Sequence, residues 1–525
     1  MRQRITFLQD PADSIDPSKL LVTSTSISTP ELVAAREERI TFAFDELPQE
    51  LYKVLKASHE LHIRWVGESL FQTRAPLVAR LSPGLHVFYT PLRNDGLSEF
   101  LSPLLKKVFG NLDCLSPVES FTTLPRDRFS HSSASQYFSP LPNLRDFKSY
   151  LAHKLCPSRS SNTDPTCLPR VQALSSASTL EIDFDTISHA LTLTAFFPSI
   201  TQSLSLSKPS SHPSSRMEIG ILSVEKAKET EELSLGGFLA VLGENTKPSP
   251  TLFSFPARHH PLPISQTFTS NFIHPTGLHP TLELNITSSI PPLDDRACSL
   301  HAHLTLPRAV FVDKYQISDP LFLASKNLAK IHYITTPIDL EAPAYTLTSW
   351  GSTVLLELSP PLSKPKSKPK PESKSDSTSS NQHQVFTSQV PLHLRYLPPA
   401  HNSSGLTNLE IPYPILFWAC TADEGSKFPV NPFDRVNLGY DGLFGPRTLF
   451  FHLSPSVAQG DRLVNSLEVP VLDLDRSRFV ESLTALGVGL GFLWVMWCLL
   501  RVWRAAGYGS GSGALEGVKK EKKTE

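Results

Sequence analysis

The sequence predicts a mainly β protein, with one or more lumenal β-sandwich-like domains joined to one C-terminal transmembrane helix. Three observations carry this. The 525 residues hold 46 prolines against 24 glycines, which disfavours long helices and suits short strands joined by loops. Short runs of alternating apolar and polar residues recur along the chain. Near the C-terminus, Ser482 to Leu500 (SLTALGVGLGFLWVMWCLL) contains no charged residue.

The opening MRQRITFLQDPADSID has no long apolar run, so it does not read as an ordinary signal peptide. Arg39 to Phe44 and Glu60 to Val66 read as strands. Between them Leu47, Leu51, Val54 and Leu55 recur at helical spacing after Pro48. Leu85 to Thr90 reads as a further strand. Residues 1–110 therefore form an N-terminal α+β region. Residues 111–170 are rich in Ser, Pro and Asn and read as a linker.

Residues 171–279 read as a β-rich region with loops. Its strands are Leu180 to Asp185, Leu191 to Phe197 and Met217 to Val224, and residues 244–280 are loop-like. From 280 to 475 the strands become regular: Leu282 to Thr287, Cys298 to Leu306, Ile331 to Thr335, Ser352 to Leu358, Val390 to Tyr396, Ile415 to Cys420 and Thr448 to Leu453. Residues 359–384 interrupt them with lysine, proline and serine and almost nothing apolar, the composition of a disordered insertion.

The apolar run 482–500 would span about 28 Å as a helix, close to the bilayer core. Trp494, Trp497 and Trp503 lie toward its end, where interfacial aromatics belong. Arg501, Arg504, Lys519, Lys520, Lys522 and Lys523 follow it, whereas Asp473, Asp475 and Glu481 accompany Arg476 and Arg478 before it. The positive-inside rule makes 501–525 a basic cytosolic tail and the preceding chain lumenal. Two sequons, at Asn285 and Asn402, fall on that lumenal side. Lys522 and Lys523 resemble the dilysine signal for retrieval to the endoplasmic reticulum, an address read by a receptor. Gly487 and Gly491, echoed by Ala485 and Gly489, offer a small-residue face for packing against another membrane helix.

The chemistry-bearing patterns are weak. A net charge of −1 points to no nucleic-acid partner. Five of the six cysteines lie outside the apolar run, and spacing leaves both disulfides and buried thiols open. Cys298, His301 and His303 look like a partial metal set, but strand alternation puts the cysteine on the opposite face from the histidines. Asp183-Phe184-Asp185 and Asp473-Leu474-Asp475 match the DxD pattern of sugar-nucleotide transferases. The first also alternates with Leu180, Ile182 and Phe184 as a strand with one wet face, and the second reads as a polar flank of the membrane helix. No GxSxG, HExxH, GxxxxGK[ST] or strand-borne GxGxxG occurs. The sequence names no catalytic, cofactor-binding or metal residue and reads as a non-catalytic membrane protein.

A family resemblance sharpens this. Leu306-Pro307 leads into Val310-Phe311-Val312-Asp313-Lys314-Tyr315. Ile338-Asp339-Leu340-Glu341-Ala342-Pro343-Ala344-Tyr345 follows, then His393-Leu394-Arg395-Tyr396 before Pro398, and Pro414-Ile415-Leu416-Phe417 before Cys420. In this order, and ahead of a terminal span, they resemble the PIG-X family over roughly residues 280–500. The N-terminal half, with His59-Glu60-Leu61-His62-Ile63-Arg64-Trp65, is similar to the extension of its fungal, Pbn-type members. The resemblance implies a PIG-X-like β domain over 280–475 and residence in the endoplasmic reticulum membrane. It implies a non-catalytic role, stabilising the multi-spanning catalytic subunit of glycosylphosphatidylinositol (GPI) mannosyltransferase I. That enzyme adds the first mannose to the anchor precursor from dolichol-phosphate mannose. A general folding factor of the endoplasmic reticulum membrane is the alternative.

Overall fold

The computed structural model describes residues 2–92, 97–124, 135–156, 167–208, 216–336, 338–361, 385–401, 405–426, 428, 431, 433–434 and 438–506. Two compact units emerge: Met1–Leu397 with Asn408–Glu468, and Pro398–Thr407 with Val469–Glu525.

The first unit is built on a 12-stranded sheet. Arg2–Gln9 is one of its interior strands. This strand pairs in parallel with Arg216–Glu225 and antiparallel with Ser26–Ala43. On one side the sheet continues through Glu232–Leu242 to Ser249–Pro256. On the other it runs through Ala190–Ser207, Thr179–Asp185, Ser58–Val66, Gly84–Pro91 and Ser135–Ser139. In the middle of Glu232–Leu242, Gly237 has φ +154°, and a Cβ there would stand 2.1 Å from the Ile221 carbonyl oxygen. Only glycine lets the two backbones come this close.

Alternation gives this sheet two different faces. Leu61, Ile63, Trp65, Leu85, Val87, Tyr89, Leu180 and Phe184 point to one side. There they meet Val54, Leu55, Leu104, Leu105, Val108, Phe147 and Leu151 from the helices Gln49–Ala57, Leu101–Phe109 and Arg145–Leu155. Glu50 ties the three helices together. Its carboxylate accepts from Tyr150 Oη at 2.9 Å and pairs with Lys107 and, at 3.2 Å, with Lys154. The Lys107 bond, joined by those of Tyr150 and Lys154, outweighs burial and holds the carboxyl down at about 2.

Residues 111–170, expected as a linker, are a correction. The described part carries the Ser135–Ser139 strand and the Arg145–Leu155 helix, and Phe147, Tyr150 and Leu151 enter the core. Cys156 and Cys167 form a disulfide. The loop-like reading of 244–280 is corrected too, by the strands Ser249–Pro256 and Thr267–Phe272.

The opposite face of the large sheet meets a six-stranded sheet. Its order is His259–Pro261, Thr448–His452, Ile415–Thr421, Cys298–Pro307, Gly351–Leu358, Leu328–Ile334. Val66 and Phe88 from the large sheet pack with Leu355, Ile415, Phe417, Ala419 and Phe450, which makes the contact sandwich-like. A four-stranded sheet, Phe386–Pro391, Thr281–Ile286, Thr267–Phe272 and Ser454–Pro455, completes the unit. The strand expected over 390–396 is two pieces, Phe386–Pro391 and His393–Leu394.

The second unit carries the helix Ser477–Ala506, which contains the predicted 482–500 span. Among the described residues it is the one helix long and apolar enough to cross a membrane, with mean hydropathy 2.0 and none of its apolar window buried. The chain is a mainly β, single-pass membrane protein.

Candidate functional site

Three of the sequence motifs converge in the first unit. Val310–Phe311 pairs antiparallel with His393–Leu394. Arg395 then organises the neighbourhood. Its backbone N–H donates to the Ala309 carbonyl at 2.9 Å, and Nη1 donates to the Ala342 carbonyl at 2.7 Å. Its guanidinium lies 4.3 Å over the Phe311 ring. The Ala344 N–H donates to the Tyr396 carbonyl at 2.9 Å. Burial pulls the Arg395 pKa below its ordinary value, against the field of Asp339.

The two aspartates of these motifs are occupied in turns. Asp313 Oδ1 accepts from the Tyr315 N–H at 2.8 Å, and Asp339 Oδ1 accepts from Glu341 and Ala342. His393 stacks on Phe311 and its Nε2 lies 3.0 Å from Gln316 Oε1. From this frame Tyr315, Tyr345 and Tyr396 project outward, 66%, 60% and 70% exposed. Large aromatics held in the open by a fixed backbone suit contact with another protein. Sequence order marked these motifs, but Arg395 as their hub carries no sequence signal of its own.

Cys298 does not serve with the histidines. It stands directly opposite Cys420 and is disulfide-bonded to it. His303 points into the sandwich interface, its ring 5.3 Å from that of Tyr440. His301 faces Glu357 and His332 instead, and the ligand atoms of these three lie within 4.8 Å of one another. Neither His332 nor Glu357 stood out in the sequence, because they come from separate strands.

The DxD residues are structural. Asp183 Oδ1 accepts from Arg64 Nη2 at 3.0 Å and lies 2.7 Å from His62 Nδ1, while Arg64 Nη1 pairs with Glu181 at 2.8 Å. Asp185 is raised by burial, but bonds from Ser188 and Ile187 outweigh this and lower its pKa. Asp473 caps the turn before the membrane helix by accepting from the Asp475 N–H, and Asp475 lies 3.0 Å from His401 Nδ1.

Asn285 lies within the Thr281–Ile286 strand. Its Nδ2 donates to Glu283 at 2.9 Å and its Oδ1 accepts from Thr387 at 2.6 Å. In the second unit, Gly487, Gly489 and Gly491 have nothing within 4 Å of where a Cβ would stand. Asn402, Lys522, Lys523, the insertion from 362 to 384 and the tail beyond 506 lie outside the described residues.

The profile of the PIG-X / PBN1 family matches residues 275–500. Protein pbn1 of Neurospora crassa is 47% identical over 528 residues, covering 100% of both chains. Protein pbn1 of Emericella nidulans is 44% identical over 97% of each. Protein PBN1 of Yarrowia lipolytica is 29% identical over 54% of this chain and 55% of its own. Among solved structures, the collagen-binding domain of the Erysipelothrix rhusiopathiae surface protein RspB is 9% identical, covering 55% of this chain and 72% of that one. Its TM-score of 0.13 carries no argument about fold.

Proposed function

Because this chain belongs to the PIG-X / PBN1 family, we propose that it is a non-catalytic, stabilising subunit of GPI mannosyltransferase I in the endoplasmic reticulum membrane. Its family ties it to GPI-anchor biosynthesis. The partner would be a multi-spanning catalytic subunit, held in two ways. The β unit docks on lumenal loops, and the glycine-bearing helix packs against one of the partner's spans.

The observation that carries this reading is the lacing of three family motifs around Arg395, with Tyr315, Tyr345 and Tyr396 held outward. The Asp313 and Asp339 side chains there brace turns, and the exposed tyrosines are groups suited to a contact surface. The lumenal assignment is supported by the Cys156–Cys167 and Cys298–Cys420 disulfides, which persist in oxidising compartments. Arg501 and Arg504 after the span favour a cytosolic C-terminal side.

The test is to tag the full chain, extract it in mild detergent and quantify what remains bound. One multi-spanning mannosyltransferase in fixed ratio supports the reading. Its recovery should fall at least tenfold when Tyr315, Tyr345 and Tyr396 are all changed to Ala, taking roughly 1 kcal/mol per anchor. A broad, substoichiometric set of secretory proteins would overturn it in favour of a general folding factor.

A further inference from the structure

In the six-stranded sheet His301 stands directly across from Glu357, so their side chains share one face. The edge strand Leu328–Ile334 pairs next to Glu357 with an irregular register. Ile331 faces Leu356 and Tyr333 faces Leu355, which leaves His332 as an extra residue in a bulge. A bulge re-aims the side chain it carries. His332 is turned so that its ring lies 4.6 Å from the His301 ring and its Nε2 lies 2.7 Å from Glu357 Oε2.

A simple ion pair accounts for only part of this. Lys330 already faces the Glu357 carboxylate at 3.4 Å. His301 is fully buried. Ser299 Oγ lies 2.8 Å from its Nε2, while Nδ1 has no hydrogen-bond partner among the described residues. A buried imidazole oriented by Ser299 beside a second imidazole and a carboxylate is a donor set for a cation. Phe417 and Phe444 wall the inner side, with ring centroids 5.8 and 5.0 Å from His301. His332 and Glu357 remain partly exposed, which leaves an approach from solvent.

We propose that His301, His332 and Glu357 bind one divalent transition-metal ion, with zinc the best chemical match. Two nitrogens and one oxygen suit zinc, whereas calcium and magnesium favour all-oxygen sites. Zinc bonds of about 2.1 Å put tetrahedral ligand atoms roughly 3.4 Å apart. Small rotations of the partly exposed His332 and Glu357 side chains bring the three ligand atoms to that spacing, with water as the fourth ligand. Ser299 is then the outer partner that fixes the His301 ring. The bound ion would clip the edge strand Leu328–Ile334 to its two inner neighbours.

The experiment uses the full chain in detergent, stripped with chelator and titrated with ZnCl2. CoCl2 serves as a spectroscopic probe of tetrahedral coordination. One ion per chain is expected, with visible cobalt bands. His332→Ala and Glu357→Gln should each weaken binding by at least about 100-fold, beyond the usual cost of an outer-shell change. Lys330→Ala removes a competing ammonium and should tighten binding about fivefold, the scale of an exposed ion pair. Failure of the wild type to bind one ion saturably, or unchanged affinity in both ligand variants, overturns the proposal. Should a ligand variant lose its fold by circular dichroism, Lys330→Ala decides, and wild-type affinity there also overturns it.

Discussion

Lowering the pH from 7.4 to 5.0 should strip several kcal/mol from the first unit through two histidines sealed in its sandwich interface. His86 sits on the large sheet, its Nε2 2.8 Å from the Ser82 carbonyl, where the neutral ring donates. His452 sits on the six-stranded sheet, its Nε2 2.9 Å from Nδ1 of His259. Burial lowers His86 from 6.5 to about 4, with Arg64 adding repulsion. Burial, Arg80 and His260 lower His452 from 6.5 to about 3. His303 also faces His86, and His259 and His260 are pushed down as well.

The sign follows from these directions. Above pH 6.5 both rings are neutral whether the chain is folded or not. Between 6.5 and the folded values, the unfolded chain takes up protons that the folded one refuses, so stability falls with pH. At pH 5.0 each ring contributes a loss of about 2 kcal/mol, about 4 kcal/mol together. That is a large share of the roughly 5–15 kcal/mol that holds a domain. Glu50, held at about 2 against an ordinary 4.5, titrates below this window. Urea unfolding followed by tryptophan fluorescence at several pH values measures the slope. His86→Gln with His452→Gln should be weaker at pH 7.4 yet lose about 4 kcal/mol less on acidification. An identical pH dependence in wild type and double variant would refute the reasoning.

Three further outcomes are expected. The Cys298–Cys420 disulfide closes a separation of 122 residues, and Cys298→Ser with Cys420→Ser should cost about 4–5 kcal/mol on the chain-entropy scale, seen as a fall in unfolding midpoint. Gly487→Leu with Gly491→Leu fills the open face of the membrane helix, and should lower recovery of the multi-spanning partner several-fold in detergent pull-downs without changing the β unit's unfolding. Asn285→Gln should leave gel mobility before and after endoglycosidase unchanged, because Nδ2 is spent on Glu283 within a paired strand; a lost glycan shift would contradict that geometry.

Local patterns were legible wherever they lay within one element. The alternation of Leu180, Ile182 and Phe184 against Glu181, Asp183 and Asp185 put the acids on the polar face, where Arg64 and His62 meet them. The uncharged run 482–500 marked the membrane helix. Pairings over long separations were not legible. Arg2–Gln9 offers only a short mixed run, and its place beside Arg216–Glu225 depends on more than 200 intervening residues. The Arg145–Leu155 helix was hidden because only Phe147, Tyr150 and Leu151 show its apolar stripe amid polar neighbours. The Glu232–Leu242 strand was not named from sequence, and its Gly237 serves the close approach of the Ile221 backbone. His332 escaped notice because a bulge, not alternation, sets its direction.

The parallel partnership of Arg2–Gln9 with Arg216–Glu225 sets a timetable for synthesis. Arg2–Gln9 is made before both of its neighbours, and one of them is made about 214 residues later. At ordinary elongation rates of about 5–20 residues per second, that wait is on the order of 10–40 s. Throughout it the nascent sheet presents an open edge with unsatisfied backbone groups, a template for any other strand in reach. The birth of this protein is therefore a period of exposure, and slower translation between residues 10 and 215 would lengthen it.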